Sequence, residues 1–160
     1  MAVKMPEVSQ AETVAMLGEV PIFRGLTKRQ LTGVAKLVDH ASFEPGAVIV
    51  KQGQSGIRLV IFRTGTAAVI RGEITEATGL EGRGRRLSTV GPGDIVGELS
   101  LIDGWPTSAS VVAETPVDAL VLYRTRFNKL LESTPQLYPR LLTTMAERLR
   151  ATNQRDGDIA

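Results

Sequence analysis

The spacing of apolar residues changes twice along the chain and divides it into three stretches. Between Glu7 and Gly18, Val8, Ala11, Val14, Ala15 and Leu17 recur mostly at helical intervals, which predicts a short amphipathic helix closed by Gly18. A second helix is marked more sharply. Thr27 with Gln30 makes a capping box, Leu26 can staple onto Leu31, and Leu31, Val34, Ala35 and Val38 fall at i, i+3, i+4 and i+7. This stripe predicts a helix ending near Asp39, with His40 at its end.

From Ser42 the pattern turns to short runs separated by turn residues. The predicted strands are Ala47–Lys51, Arg58–Arg63, Thr66–Arg71, Arg86–Val90, Asp94–Gly97, Ser108–Glu114 and Val117–Tyr123. Glu44-Pro45-Gly46, Gly53-Gln54-Ser55-Gly56, Thr64-Gly65 and Gly91-Pro92-Gly93-Asp94 punctuate them. Strand periodicity puts Leu59 and Ile61 on one face and Val60 and Phe62 on the other. Helical spacing then returns. Thr125 is placed to cap a turn with Phe127, Leu130 and Leu131. Pro135 opens a longer run bearing Tyr138, Leu141, Leu142, Met145 and Leu149 on one side. Pro139 cannot donate to the carbonyl four residues earlier, so that helix either starts late or kinks. Residues from Asn153 onward are polar and are expected to fray.

This order predicts an α+β, mainly β, fold: an antiparallel β-roll or jelly roll flanked by N-terminal helices and C-terminal lid helices. The expected layout is one domain over 1–160, with helices about 7–40, the roll about 42–123 and helices about 125–152. A chain of 160 residues, 42% apolar and 22% charged, is an ordinary globular domain with one core. No apolar run reaches the roughly 18 residues of a membrane span, the first ten residues are not ordered like a signal peptide, and there is no cysteine. A soluble cytoplasmic protein is the expectation. The net charge of +2 is too small to argue for nucleic acid.

The segment Gly97-Glu98-Leu99-Ser100-Leu101 carries the candidate chemistry. A strand ends at Gly97 and a short helical turn begins at Glu98, leaving the amides of Leu99 and Ser100 unpartnered within the turn. Such amides favour an anion, and Gly97 permits close approach to the backbone. Thr107 and Ser108 open the next strand and can direct hydroxyls to the same place, with Glu98 an acceptor for sugar-like hydroxyls.

These residues resemble the cyclic nucleotide-binding domain family, whose phosphate-binding cassette reads approximately Gly-Glu-Leu-Ala/Ser-Leu, a spacer, then Pro-Arg-Ser/Thr-Ala-Ser/Thr-Val. Gly97 to Leu101, Pro106, Ser108, Ala109, Ser110 and Val111 match in order. Pro21-Ile22-Phe23-Arg24-Gly25-Leu26-Thr27 is similar to the family's entry loop. Phe43-Glu44-Pro45-Gly46, Gln52-Gly53, Thr64-Gly65 and Gly91-Pro92-Gly93-Asp94 are similar to its turns. The likeness covers roughly residues 12 to 152. It implies a regulatory domain, catabolite-activator-like or kinase-regulatory-subunit-like. A cyclic nucleotide, cyclic AMP for preference, would bind Gly97, Glu98, Leu99, Ser100, Thr107, Ser108 and Ala109 and draw the C-terminal helices closed.

One position departs from that pattern. Binding members have an arginine after the proline, and here it is Thr107. A charge-assisted hydrogen bond contributes about 1.5–3 kcal/mol, so its loss weakens binding roughly 10- to 150-fold. Glu98 is then left without a nearby cation. Arg83, Arg85 or Arg86 could supply a substitute from the glycine-rich loop before the next strand, although a solvated loop is the plainer reading. The alternative function is a degenerate domain that acts through protein contacts.

Trp105 is read as covering the rim of its own core, and His40 as structural. A lone histidine cannot build the metal cluster of a jelly-roll enzyme, and no nucleophile–histidine–acid set or phosphate loop is present. The chain is therefore read as no enzyme, with no metal or cofactor. The stripe from Tyr138 to Leu149 either packs on the roll as a lid or pairs with its copy in a homodimer. Only about ten residues follow Arg150, too few for a helix-turn-helix unit, so direct DNA binding is not expected and the output passes to an unknown effector protein.

Overall fold

The computed structural model describes residues 8–72 and 85–155. Helix α1 (Gln10–Gly18), a 3₁₀ turn (Pro21–Phe23) and α2 (Lys28–Ala35) precede the strands. These are β1 (Asp39–Phe43), β2 (Val48–Val50), β3 (Arg58–Thr64), β4 (Ala67–Arg71), β5 (Arg85–Val90), β6 (Ile95–Val96), β7 (Ser110–Ala113) and β8 (Val117–Tyr123). Helix α3 (Glu98–Asp103) lies between β6 and β7, and α4 (Arg124–Ser133) and α5 (Leu137–Arg155) follow β8. All pairings are antiparallel, in two four-stranded sheets ordered β1-β8-β3-β6 and β2-β7-β4-β5. Apart from the consecutive pair β4 and β5, neighbours in each sheet come from distant parts of the chain, which is the wrapped order of a jelly roll. The α+β class read from the sequence is the observed one.

Strand β3 shows how alternation divides the core. Leu59 and Ile61 face the helices, where they join Leu17, Phe23, Phe127 and Leu141. Val60 and Phe62 face into the roll with Ile49, Val111 and Val121. The helix-side core is closed by Phe23 against Phe127, ring centroids 5.6 Å apart and tilted by 56°. Central strand β8 is buried on both faces, which explains its almost unbroken apolar run.

The helix boundaries differ from the sequence reading, each for a local reason. Helix α1 starts after Ser9, whose hydroxyl accepts from the Glu12 amide at 3.1 Å; Glu7 lies outside the described residues. Its last residue is Gly18, and Glu19 leaves in a right-handed conformation rather than the left-handed turn of a glycine cap. Thr27 and Gln30 form the capping box as read, but α2 stops at Ala35. Asp39 to Phe43 then pair with Val121 to Val117, so His40 sits in a strand and not at a helix end. Thr125 caps nothing, because β8 runs straight into α4 and the Arg124 amide is taken by the Ile57 carbonyl at 2.8 Å. Helix α5 starts at Leu137, which leaves Pro139 in its first turn, where amides have no helical partner.

Helix α5 has two apolar faces. Leu137 and Leu141 are buried in the helix-side core with Met145 packed against it, whereas Tyr138, Leu142 and Leu149 are exposed, the last two by 68% and 63%. The stripe read as one face is thus split between the roll and the surface.

Candidate functional site

The cassette begins at a glycine required twice. Gly97 has φ +81, and a Cβ there would overlap the carbonyl oxygen of Arg58. The close approach is therefore made by the chain's own strand β3. Leu101 anchors α3 in the helix-side core, while Leu99, named as a ligand contact, is exposed. Gly104 ends α3 with φ +66, and it abuts the Arg124 guanidinium so closely that a Cβ would lie 2.6 Å from Cζ.

The loop after α3 is fastened to the turn after β2. The Thr107 hydroxyl donates to the Lys51 carbonyl at 2.6 Å, and its amide donates to the Gln54 carbonyl at 3.0 Å. Its own carbonyl accepts from the Gly53 amide at 2.9 Å. Ser55 and Pro106 form an isolated bridge, and the Gly56 amide donates to the Trp105 carbonyl at 3.3 Å. The Ser100 hydroxyl donates to that same carbonyl at 3.1 Å, with Gly56 pressed against the Ser100 side chain. Between loop and turn remains a cleft of about 60 Å³, lined among others by Lys51, Gln54, Arg58, Gly97 and Thr107. Small-molecule sites usually occupy about 300–1,000 Å³.

Of the named site residues, Gly97 and Thr107 reach this cleft, and Ser100 packs against Gly56 of its lining. Ser108 is exposed and its carbonyl accepts from Arg71 Nε at 3.4 Å; neither it nor half-buried Ala109 lines the cleft. Trp105 does not cover a core rim but projects into solvent, 72% exposed, because the Asp103 carboxylate accepts its amide and turns the loop outward.

Glu98 turns the other way, towards the helices. Its Oε1 accepts from the Ile22 amide at 3.0 Å and from Arg148 Nη1 at 2.5 Å. The reading that left Glu98 without a cation is corrected: Arg148 lies 50 residues later, on a helix whose docking no local pattern announces. One carboxylate thus joins the 3₁₀ turn, α3 and α5. Its side chain is 14% exposed and that of Arg148 is 39% exposed.

The arginines considered as substitutes lie elsewhere. Arg83 is outside the described residues. Arg86 is held by both Glu114 oxygens, at 2.5 and 3.2 Å, and by the Thr89 hydroxyl. Arg85 is exposed on β5, and neither Arg85 nor Arg86 lines the cleft. The cations that do are Lys51 and, unnamed in the sequence reading, Arg58. Its signal was present, since strand alternation puts residue 58 on the same inward face as Val60 and Phe62.

A second charged centre fastens α1 to the roll. Asp118 on β8 is 2% exposed and accepts from His40 and Arg63. Arg63 Nη2 also donates to Glu12 of α1 at 3.0 Å. Burial opposes the Arg63 charge, but hydrogen bonds and charge contacts with Glu12 and Asp118 outweigh it and raise its pKa above the usual arginine value. Among the described residues no group of three or more His, Cys, Asp or Glu could hold a metal ion, and no helix is long and apolar enough to cross a membrane.

A jelly roll that sets a Gly-Glu-Leu-Ser-Leu turn between two strands and covers it with terminal helices defines a cyclic nucleotide-binding domain. The chain belongs to that family, whose model matches residues 40–134. It is 28% identical over 144 residues to the CRP-like cAMP-activated global transcriptional regulator of Mycobacterium tuberculosis, covering 90% of this chain and 62% of the regulator's length. In structure it is similar to the N-terminal domain of a transcriptional regulator from Streptomyces coelicolor, with TM-score 0.73 and 30% identity over 91% of this chain and 98% of that one. It is also similar to the regulatory subunit of a cAMP-independent protein kinase A from Trypanosoma brucei, with TM-score 0.63 and 26% identity over 91% of this chain and 47% of that one. A variant of that subunit with three substitutions, one of them threonine to arginine, is bound to cAMP in its A site. The family's domains are regulatory binding modules, not enzymes.

Proposed function

We propose that this chain is a regulatory module of the cyclic nucleotide-binding class that operates without a cyclic nucleotide, through contacts made by its C-terminal helices. The closure at Thr107 carries this reading. The residue in the arginine's place is tied by side chain, amide and carbonyl to the 51–54 turn, and the cleft that the described residues form beside it, about 60 Å³, is about a fifth of the smallest ordinary ligand site. Glu98, the acceptor for a ribose, is already bonded to Ile22 and Arg148. The Trypanosoma relative supports the same reading, since it is cAMP-independent and cAMP occupies its A site in a variant that exchanges a threonine for arginine.

The partners are an effector protein and a second copy of the chain. Tyr138, Leu142, Met145 and Leu149 follow the alternating four- and three-residue steps of a coiled-coil seam, and three of them are exposed.

A second reading, a cyclic AMP sensor whose ligand closes α4 and α5, is favoured by the retained cassette turn and by Arg58 in the cleft. Calorimetric titration with cyclic AMP and cyclic GMP separates the two. No heat at millimolar nucleotide is the expected result; a dissociation constant near micromolar for either overturns the nucleotide-independent reading. Under the sensor reading Thr107→Arg gains cyclic AMP affinity by roughly 10- to 150-fold, the value of one charge-assisted bond, whereas under the nucleotide-independent reading it produces no measurable binding.

A further inference from the structure

The arginines that do not reach the cassette lead into an exposed serine. Arg85-Arg86-Leu87-Ser88 makes up most of β5, the outermost strand of its sheet. Arg85 to Thr89 are exposed and Val90 is half-buried, so this strand projects past the core and does not cover it. Its pairing with β4 slips at Leu87, where β5 carries one residue more than its partner. Lifting β5 away breaks ladder hydrogen bonds but uncovers little apolar surface, which sets it at the low end of local opening energies. The register also decides which side chains share a face. Ser88 pairs with Val69, and Arg85 pairs with Arg71 two positions further along β4, so Ser88, Arg71 and Arg85 lie on one face. Arg86 pairs with Ile70 and points the other way, to Glu114 and the Thr89 hydroxyl. Like charges directly opposite each other in a sheet repel. Among the described residues neither Arg71 nor Arg85 has a carboxylate within ion-pair distance. Arg71 Nε reaches the Ser108 carbonyl at 3.4 Å, a long hydrogen bond.

We propose that Ser88 is a phosphorylation site for a serine/threonine protein kinase that selects arginine two and three residues before its acceptor, and that Arg71 and Arg85 receive the phosphate. Arg86 and Arg85 stand at those two positions, and a kinase discriminates its substrates by such charge patterns. The Ser88 oxygen attacks the γ-phosphorus of ATP, and the new O–P bond forms as the bond to the β-phosphate oxygen breaks. ADP leaves, and the hydroxyl proton passes to a carboxylate of the kinase. The product carries close to two negative charges and three acceptor oxygens on the face that holds the two opposed guanidinium groups. Modification thus turns a repulsive cross-strand pair into a bridged one and tightens β5 against β4. Thr89 is the poorer acceptor, since its hydroxyl already accepts from Arg86 Nη2 at 2.7 Å. The site lies outside the cassette, so it stands or falls apart from the nucleotide-independent reading.

The test treats the native full chain with ATP and a basophilic serine kinase, with an acidophilic kinase as control, and locates the phosphate by tandem mass spectrometry. One phosphate on Ser88 from the basophilic kinase is expected. Ser88→Ala should abolish it, and Arg85→Gln and Arg86→Gln should each lower kcat/KM about tenfold or more. Phosphorus NMR then examines the receiving pair. The second pKa of the phosphoserine should fall below its usual value of about 6, and Arg71→Gln should bring it back. Arg71 is far from Ser88 in sequence, so Arg71→Gln should be phosphorylated as readily as the unmodified chain. Amides of β5 should exchange more slowly after modification. All four substituted positions are exposed, so the variants are expected to fold. No phosphate on the native chain, phosphate only after unfolding in urea, or incorporation undiminished in Ser88→Ala overturns the site. A phosphoserine pKa that is unshifted, or that Arg71→Gln leaves lowered, overturns the part given to Arg71 and Arg85.

Discussion

Removing the link between Glu98 and Arg148 is expected to loosen α5 from the roll without disturbing α1. Exposed ion pairs contribute about 0.2–1 kcal/mol, and breaking a buried one costs about 3–5 kcal/mol. With side chains 14% and 39% exposed, this pair lies between those limits, nearer the lower one because water still screens the guanidinium. A coupling of about 1–2 kcal/mol follows, or about 2–8 °C in melting temperature for a domain of this size. Glu98→Gln keeps an acceptor for the Ile22 amide and removes only the charge, while Arg148→Met keeps the aliphatic stem. The double-mutant cycle built from these two changes isolates the pair. Denaturant midpoints give the coupling energy, and hydrogen exchange gives its location: α5 amides should exchange faster in either single variant, with those of α1 unchanged. The coupling should shrink in 1 M salt, as a partly exposed pair requires. A coupling below about 0.3 kcal/mol, the usual error of additivity, would refute the idea that Glu98 holds α5.

Other substitutions probe separate parts of the molecule. Gly97→Ala meets both a left-handed backbone and the Arg58 carbonyl, and is expected to lower stability by about 2–4 kcal/mol in a denaturant titration. Asp118→Asn leaves Arg63 and His40 facing a neutral group in a buried setting, with an expected loss of about 3–5 kcal/mol and faster exchange in α1. If α5 forms the proposed seam, Leu142→Glu and Leu149→Glu should shift sedimentation from dimer to monomer while leaving the melting of the roll within about 0.5 kcal/mol, since both side chains are exposed. A monomeric unmodified chain would count against the seam.

The sequence was most informative where chemistry is local. The Thr27–Gln30 capping box, the alternation in β3 and the glycine-marked turns each depend on residues within a few positions of one another, so spacing alone placed them. Strand β1 was missed because Asp39-His40-Ala41-Ser42-Phe43 has only two apolar residues of its own and is ordered by pairing with β8, nearly 80 positions away. The site divides in the same way. The Gly97 turn was visible, but the partners that decide what it does are remote. Thr107 meets Lys51, Glu98 meets Arg148, and Arg58 occupies the cleft where the loop arginines were sought. Periodicity sets Arg58 on the face shared by Val60 and Phe62; what it lacked was the knowledge that strand and loop share a wall.

Gly104 makes a mechanical consequence of its small size. With no side chain at that corner, the loop rests directly on the guanidinium of Arg124, the first residue of α4. Anything that pushes Trp105 and its neighbours aside, whether an ion, a partner or a crowded substitution, must also displace the foot of α4. Transmission by hard contact needs no charge, so it should persist in salt concentrations that silence the ion pair at Glu98.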